Sequence, residues 1–110
     1  MAPVIMGTPD RPELADELGD TYCKADPEHA RVFAGATFLS DNRADLARIP
    51  LQTLVIECAQ DSIAPRDVGA YVHAQIPDSQ LVTLAATGHC PHVSAPQTTA
   101  SAIAAFVRST

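Results

Sequence analysis

A chain of 110 residues, 46% apolar and 18% charged, has the composition of one small globular domain. Its net charge of −6 argues against nucleic acid and anionic membrane surfaces as partners. No run of 18 apolar residues is present to span a membrane, and Met1–Gly7 lacks the basic start and long apolar stretch of a secretory signal.

The first half predicts helices. Asp10 and Pro12 supply a cap and an early-helix proline, and Leu14, Leu18 and Tyr22 follow at intervals of four on one face. Asp26-Pro27-Glu28 repeats the start signal for a second helix, which would carry Ala30, Phe33 and Ala34 inward and fray near Phe38–Asn42. Arg43–Ile49 predicts one more short turn. The second half alternates. Leu54 to Cys58 is a continuous apolar, β-branched-rich run interrupted only by Glu57, the pattern of a strand buried on both faces of a parallel sheet. Pro65 opens a helix with Val68, Tyr71, Val72 and Ile76 on one face, and Pro77-Asp78-Ser79 ends it. Leu81–Leu84 is a second strand. Pro96 opens a last helix with an apolar stripe of Ala100, Ile103, Ala104 and Val107. Strand, helix, strand, helix implies the α/β class, with parallel strands joined by a right-handed crossover. Two strands are too few for a stable sheet of this kind, so the chain is expected to be part of something larger.

In open parallel sheets ligands bind beyond the carboxyl ends of the strands. The segments expected there are Cys58–Pro65 and Thr87–His92. They contain Asp61 and His89, 28 positions apart. A histidine acting as general base needs one ring nitrogen aimed at a nucleophile and the other held by a carboxylate, which sets the tautomer and stabilises the imidazolium. Gly88 would allow a sharp turn before the histidine, and Pro91 would stiffen the segment after it. The competing reading is that Asp61 caps its own loop or the next helix and that His89 is an ordinary loop histidine.

Further segments carry a family resemblance: Thr37-Phe38-Leu39-Ser40-Asp41-Asn42-Arg43, Gln60-Asp61-Ser62-Ile63-Ala64-Pro65 and, most specific, Gly88-His89-Cys90-Pro91-His92-Val93-Ser94-Ala95-Pro96. Through them Ala36–Phe106 resembles the C-terminal part of the α/β-hydrolase fold. The branch resembled contains the bacterial energy-stress sigma-factor regulator hydrolases and the plant karrikin and strigolactone receptors. Met6-Gly7, Asp10-Arg11-Pro12-Glu13 and Asp26-Pro27-Glu28 are also similar to the bacterial members. The resemblance implies that Asp61 is the acid and His89 the base of a catalytic triad. It implies that residues 1–25 are the remnant of a helical cap and residues 26–110 the C-terminal part of the hydrolase core. It further implies serine hydrolysis of a small hydrophobic ester or lactone-like substrate, without metal or organic cofactor.

The chain departs from that pattern in one large respect. None of its five glycines stands two before a serine, so no G-x-S-x-G elbow is present, and the oxyanion-hole segment is missing as well. Chain order in this fold is serine, acid, histidine, which puts the expected serine upstream of Met1. A missing N-terminal part or a separate protein partner would have to supply it. Two alternatives stay open: a hydrolase-fold signalling protein that binds a small hydrophobic ligand and a protein partner, and a truncated chain without activity.

Among other residues, His92 stands three after His89, but no second ligand pair at a metal-site spacing accompanies it, and the family resemblance implies that it packs or hydrogen-bonds beside the site. His29 and His73 are expected on helix surfaces. Glu57 is expected to reach solvent, with pairing to a basic group as the alternative. Ser94 is expected to start the last helix, and none of the serines has an elbow around it. Cys23, Cys58 and Cys90 form an odd set without C-x-x-C spacing, which suits reduced thiols in the cytoplasm.

Overall fold

Two parallel strands, β1 (Thr53–Gln60) and β2 (Ser79–Thr87), form the centre of the computed structural model, which describes all 110 residues. They pair in register from Thr53 opposite Ser79 to Cys58 opposite Leu84. Both run longer than their apolar runs alone imply, because Ser79 and Thr53 extend the ladder at its start and Gln60 and Thr87 at its end. The crossover between them contains α5 (Arg66–Gln75), as a parallel pair requires. Pro65 is extended and immediately precedes α5. Ile76 is buried, but in extended backbone just past the helix end rather than within its stripe.

α5 lies on the face of the sheet that carries Glu57 and packs there through Gly69, while Val68 and Tyr71 of its expected stripe stay largely exposed. On the opposite face the register partners Cys58 and Leu84 are buried. The short α6 (Pro91–Ser94) and the long α7 (Pro96–Ser109) pack against β2. α7 does not bury the expected stripe. Ile103 and Val107 are exposed, whereas Thr99 is buried and Ala102 and Phe106 are half-buried. The Thr99 hydroxyl donates to the Ala95 carbonyl one turn back, which satisfies it and lets that face turn inward.

The N-terminal half holds α1 (Ala2–Met6), α2 (Pro12–Cys23), α3 (Pro27–Phe38) and α4 (Arg43–Leu46). Five of the seven helices, α1, α2, α3, α6 and α7, have a proline in their first two positions, where a missing N–H leaves nothing unpaired. Asp26 caps α3 by accepting from the Glu28 and His29 N–H groups. Asp10, by contrast, is not a cap: Arg11 holds the capping position of α2 and makes no side-chain cap bond. α1 has no counterpart in the sequence expectations. It ends at Gly7, in left-handed backbone at φ 59°, whose N–H returns to the Pro3 carbonyl.

The core does not close. Of 110 residues only 8 are buried. The chain exposes 7786 Å², against about 5,800 Å² for a self-contained protein of this mass. Its radius of gyration is 15.5 Å, against about 13 Å for a domain of this length. α3 is the extreme case: Phe33, expected inward, is 74% exposed, and Phe38 and Leu39 are more exposed still. Tyr22 likewise leaves the half-buried face of Leu14 and Leu18. No helix is long and apolar enough to cross a membrane.

Apolar faces of this extent bury themselves against whatever is available. The isolated chain is expected to self-associate, so its weight-average mass in sedimentation velocity should rise with concentration. A single 11.6 kDa species that melts cooperatively at every concentration would contradict this.

Candidate functional site

The parallel pairing of β1 and β2 puts their carboxyl ends at one edge of the sheet, and the loops leaving both ends meet there. Between Cys58 and Gln60 the register slips by one residue, so β2 carries an extra residue before Thr87. Such a bulge twists a strand and re-aims the residues beyond it. The Gly88 N–H then donates to the Gln60 carbonyl at 2.7 Å, joining the two loops.

Asp61 and His89 come together here. His89 Nδ1 lies 2.8 Å from Asp61 Oδ2. The other carboxylate oxygen, Oδ1, accepts from the Ile63 N–H at 2.8 Å and the Ala64 N–H at 3.0 Å. Asp61 therefore caps its own loop, as one sequence reading expected, and bonds to the histidine at the same time. The Asp61 side chain is 7% exposed and that of His89 44%. Burial works to raise the Asp61 carboxyl, but the Ala64 N–H, the His89 ring and the Ile63 N–H outweigh it, and the carboxyl sits below the ordinary carboxylate range. With Nδ1 bonded to a carboxylate, the ring carries its proton there and Nε2 presents a lone pair. Nε2 makes no hydrogen bond within the chain.

The histidine is also held from the other side, by the N-terminal segment, for which no contact with His89 was expected from the sequence. The His89 backbone N–H donates to the Ile5 carbonyl at 2.6 Å. Gly88 sits at φ 80°, and a Cβ there would collide with the Met6 carbonyl oxygen. Gly7 faces it, and a Cβ on Gly7 would stand 2.6 Å from the Gly88 nitrogen. Two backbones thus cross in contact, and only glycine fits at either position. Arg11 adds a second tie, donating from Nη2 to the Ser94 carbonyl at 2.9 Å. Gly7 alone carried a hint of this, since a glycine before Thr8-Pro9 marks a turn.

Of the other candidates, Ser94 does not start α7. It closes α6, its hydroxyl donates to the Cys90 carbonyl, and Ala95 takes the capping position. No serine hydroxyl bonds to His89. His92 is exposed, and no group of three or more His, Cys, Asp and Glu side chains gathers anywhere to hold a metal ion. His29 and His73 are exposed on their helices, His73 with its Nδ1 against the Ser79 hydroxyl. Cys58 and Cys90 are free thiols near Asp61. Burial first, and the Asp61 charge second, pushes both up, so neither offers a thiolate in place of a hydroxyl.

Glu57 does not reach solvent. Its side chain is 8% exposed, with Oε1 accepting from the Thr83 hydroxyl at 2.7 Å and standing 3.5 Å from Arg66 Nε. The carboxylate rests against Gly69 of α5, so helix and strand approach closely enough to shield it from water.

Two small depressions flank the site. One, of ≈ 120 Å³, is lined by Met6, Leu14, Leu18 and Val93 among others. The other, of ≈ 220 Å³, lies between Arg11 and the end of β2. Both fall short of the roughly 300–1,000 Å³ of a ligand pocket, and neither is lined by Asp61 or His89.

The chain matches the alpha/beta hydrolase family over residues 2–102. It is 31% identical over 96 residues to a strigolactone esterase of Arabidopsis thaliana, covering 86% of this chain and 36% of that protein. A hydrolase from Oleispira antarctica superposes with a TM-score of 0.94 at 38% identity, over 99% of this chain and 40% of that one. A hydrolase from Pseudomonas aeruginosa does so at 0.60 and 30% identity, over 81% of this chain and 38% of that one. The chain thus spans well under half the length of these relatives.

Gly88→Ala is expected to destabilise the chain by roughly 1–3 kcal/mol from the left-handed backbone alone, and further through the collision with Met6, as read by urea unfolding at low concentration. A loss under about 0.5 kcal/mol would mean that the loop is not held as described. A second expectation concerns acid. Because the folded carboxyl is held below its ordinary value, the stability Asp61 contributes is present above pH 4 or so and lost as pH falls through the lower folded value. The stability gap between the chain and Asp61→Asn should therefore shrink on acidification from about pH 6 to pH 2. A gap that stays constant over that range would contradict the assignment.

Proposed function

Because the chain belongs to the alpha/beta hydrolase family, we propose that Asp61 and His89 are the acid and base of a serine-hydrolase triad whose nucleophile and oxyanion hole come from residues outside this chain. The observation that carries this is the 2.8 Å bond from His89 Nδ1 to Asp61 Oδ2, with Nε2 left unbonded on a part-exposed ring. Asp61 fixes the Nδ1–H tautomer. Nε2 then takes the proton of an incoming serine hydroxyl as its oxygen attacks an ester carbonyl, and Asp61 stabilises the imidazolium. His89 returns the proton to the leaving alcohol, and its free Nε2 draws a proton from the water that cleaves the acyl-enzyme. No step calls for a metal or organic cofactor.

The substrate class we assign is a small apolar ester or lactone. The likeness to a protein named as a strigolactone esterase supports it. Residues 1–25 would form the tail of a cap over the site and residues 26–110 the last part of the core. The contact of Ile5–Gly7 with the His89 loop supports a cap segment acting directly on the base.

The test is a chimera in which this chain replaces the matching 40% of the Oleispira antarctica hydrolase. It should hydrolyse short p-nitrophenyl esters, and His89→Ala or Asp61→Asn should lower kcat by roughly four orders of magnitude. The 110-residue chain alone should show no turnover above free imidazole. An active chimera that keeps its rate without His89 would refute the assignment.

A further inference from the structure

Glu57 is a buried carboxylate with an unpartnered oxygen. Its Oε2 has no hydrogen-bond partner and faces Gly69, where a Cβ would collide with it. Leaving such an oxygen unpaired opposes folding, and an apolar side chain of similar size would avoid the penalty. Whatever Glu57 contributes therefore lies in the direction of its other bonds.

Its one hydrogen bond and its packing link β1, β2 and α5, the elements between which the Asp61 loop runs and from which the His89 loop leaves. Glu57 itself belongs to β1, four residues before Asp61. Its Oε1 accepts from Thr83, its register partner on β2, the strand that leads to His89. Its carboxylate packs on the first turns of α5, against Gly69 and near Arg66, where the loop carrying Asp61 ends. The loop Asp61–Pro65 thus has its entrance on β1 and its exit on α5, and Glu57 joins the two beneath it. The loop's own bonds, Ile63 and Ala64 N–H to Asp61 Oδ1, lie between that entrance and that exit.

We propose that Glu57 is a positioning residue. Through Thr83 and the Gly69 contact it locks the exit of the Asp61 loop to the strand pair, and so aims the Asp61 carboxylate at His89. Arg66 contributes little, because its side chain is largely exposed and its nitrogen stands 3.5 Å away, beyond good hydrogen-bond reach. The inference rests on the reading of Asp61 and His89 as acid and base, but it is tested without turnover, so either can fail alone.

The test is amide hydrogen exchange followed by mass spectrometry on the chimera with the Oleispira antarctica hydrolase, in which the chain's open faces have partners. In Glu57→Ala and in Thr83→Val, exchange in the peptide holding Ile63 and Ala64 should quicken at least about tenfold, with the β1 and β2 peptides unchanged. Glu57→Gln, which keeps the acceptor for Thr83, should restore slow exchange, and Arg66→Gln should leave it slow. Thr83→Val exchanges one hydroxyl for a methyl, so it settles the matter if Glu57→Ala does not fold. Two results would overturn the proposal: equal quickening throughout the strands, which marks a general loss of stability, or an unchanged Ile63–Ala64 peptide in a folded Thr83→Val chain.

Discussion

The parallel pairing of β1 with β2 is the constraint on which the rest of the molecule depends. Parallel neighbours end at the same edge of a sheet, so the loops that leave them are brought together whatever their separation along the chain. Asp61 and His89 are 28 residues apart and meet at 2.8 Å for this reason. The one-residue slip between Cys58 and Gln60 trims the meeting, turning the end of β2 so that Gly88 bonds back to Gln60.

At that meeting point Asp61 and His89 are each fixed by more than one bond. One oxygen of Asp61 is spent on two loop N–H groups and the other on the imidazole, so the carboxylate has a single orientation. The histidine is fixed at its ring by Asp61 and at its backbone by Ile5. The Gly7–Gly88 crossing lets the N-terminal segment come that close. A side chain held at both ends has little conformational freedom left to lose, which is the physical sense of preorganisation. The two nearby thiols remain protonated through burial and the Asp61 charge, and so leave the chemistry to the imidazole.

The same chain that orders this pair so firmly leaves much of its apolar surface open. β1 has one neighbour only, and α3 shows Phe33, Phe38 and Leu39 to solvent. A parallel sheet is stable when both faces and both flanks are covered. The Oleispira antarctica hydrolase, in which this chain matches 40% of the length, has the additional mass to do so. An ordered Asp61–His89 contact thus stands beside apolar faces that nothing in the chain covers.

The sequence by itself determined what depends on near neighbours along the chain. The α/β class, both strands, the proline-opened helices and the two loops that carry Asp61 and His89 were legible, because each has a local signature of period, cap or turn. What depends on which surface meets which was not legible. Periodicity found an apolar stripe on α7 but not that Thr99, satisfied by its own helix, lies inward while Ile103 and Val107 lie outward. It placed Phe33 inward on α3, where nothing covers it. It gave no warning that Glu57 would be enclosed between Thr83 and Gly69, or that Ile5 would hold His89, since these contacts join residues 26 and 84 positions apart or lie across a helix face. Local signals arise from the backbone's short-range preferences and survive in any fragment. Burial and partnership are set by the packing of distant elements, and only the tertiary structure decides them.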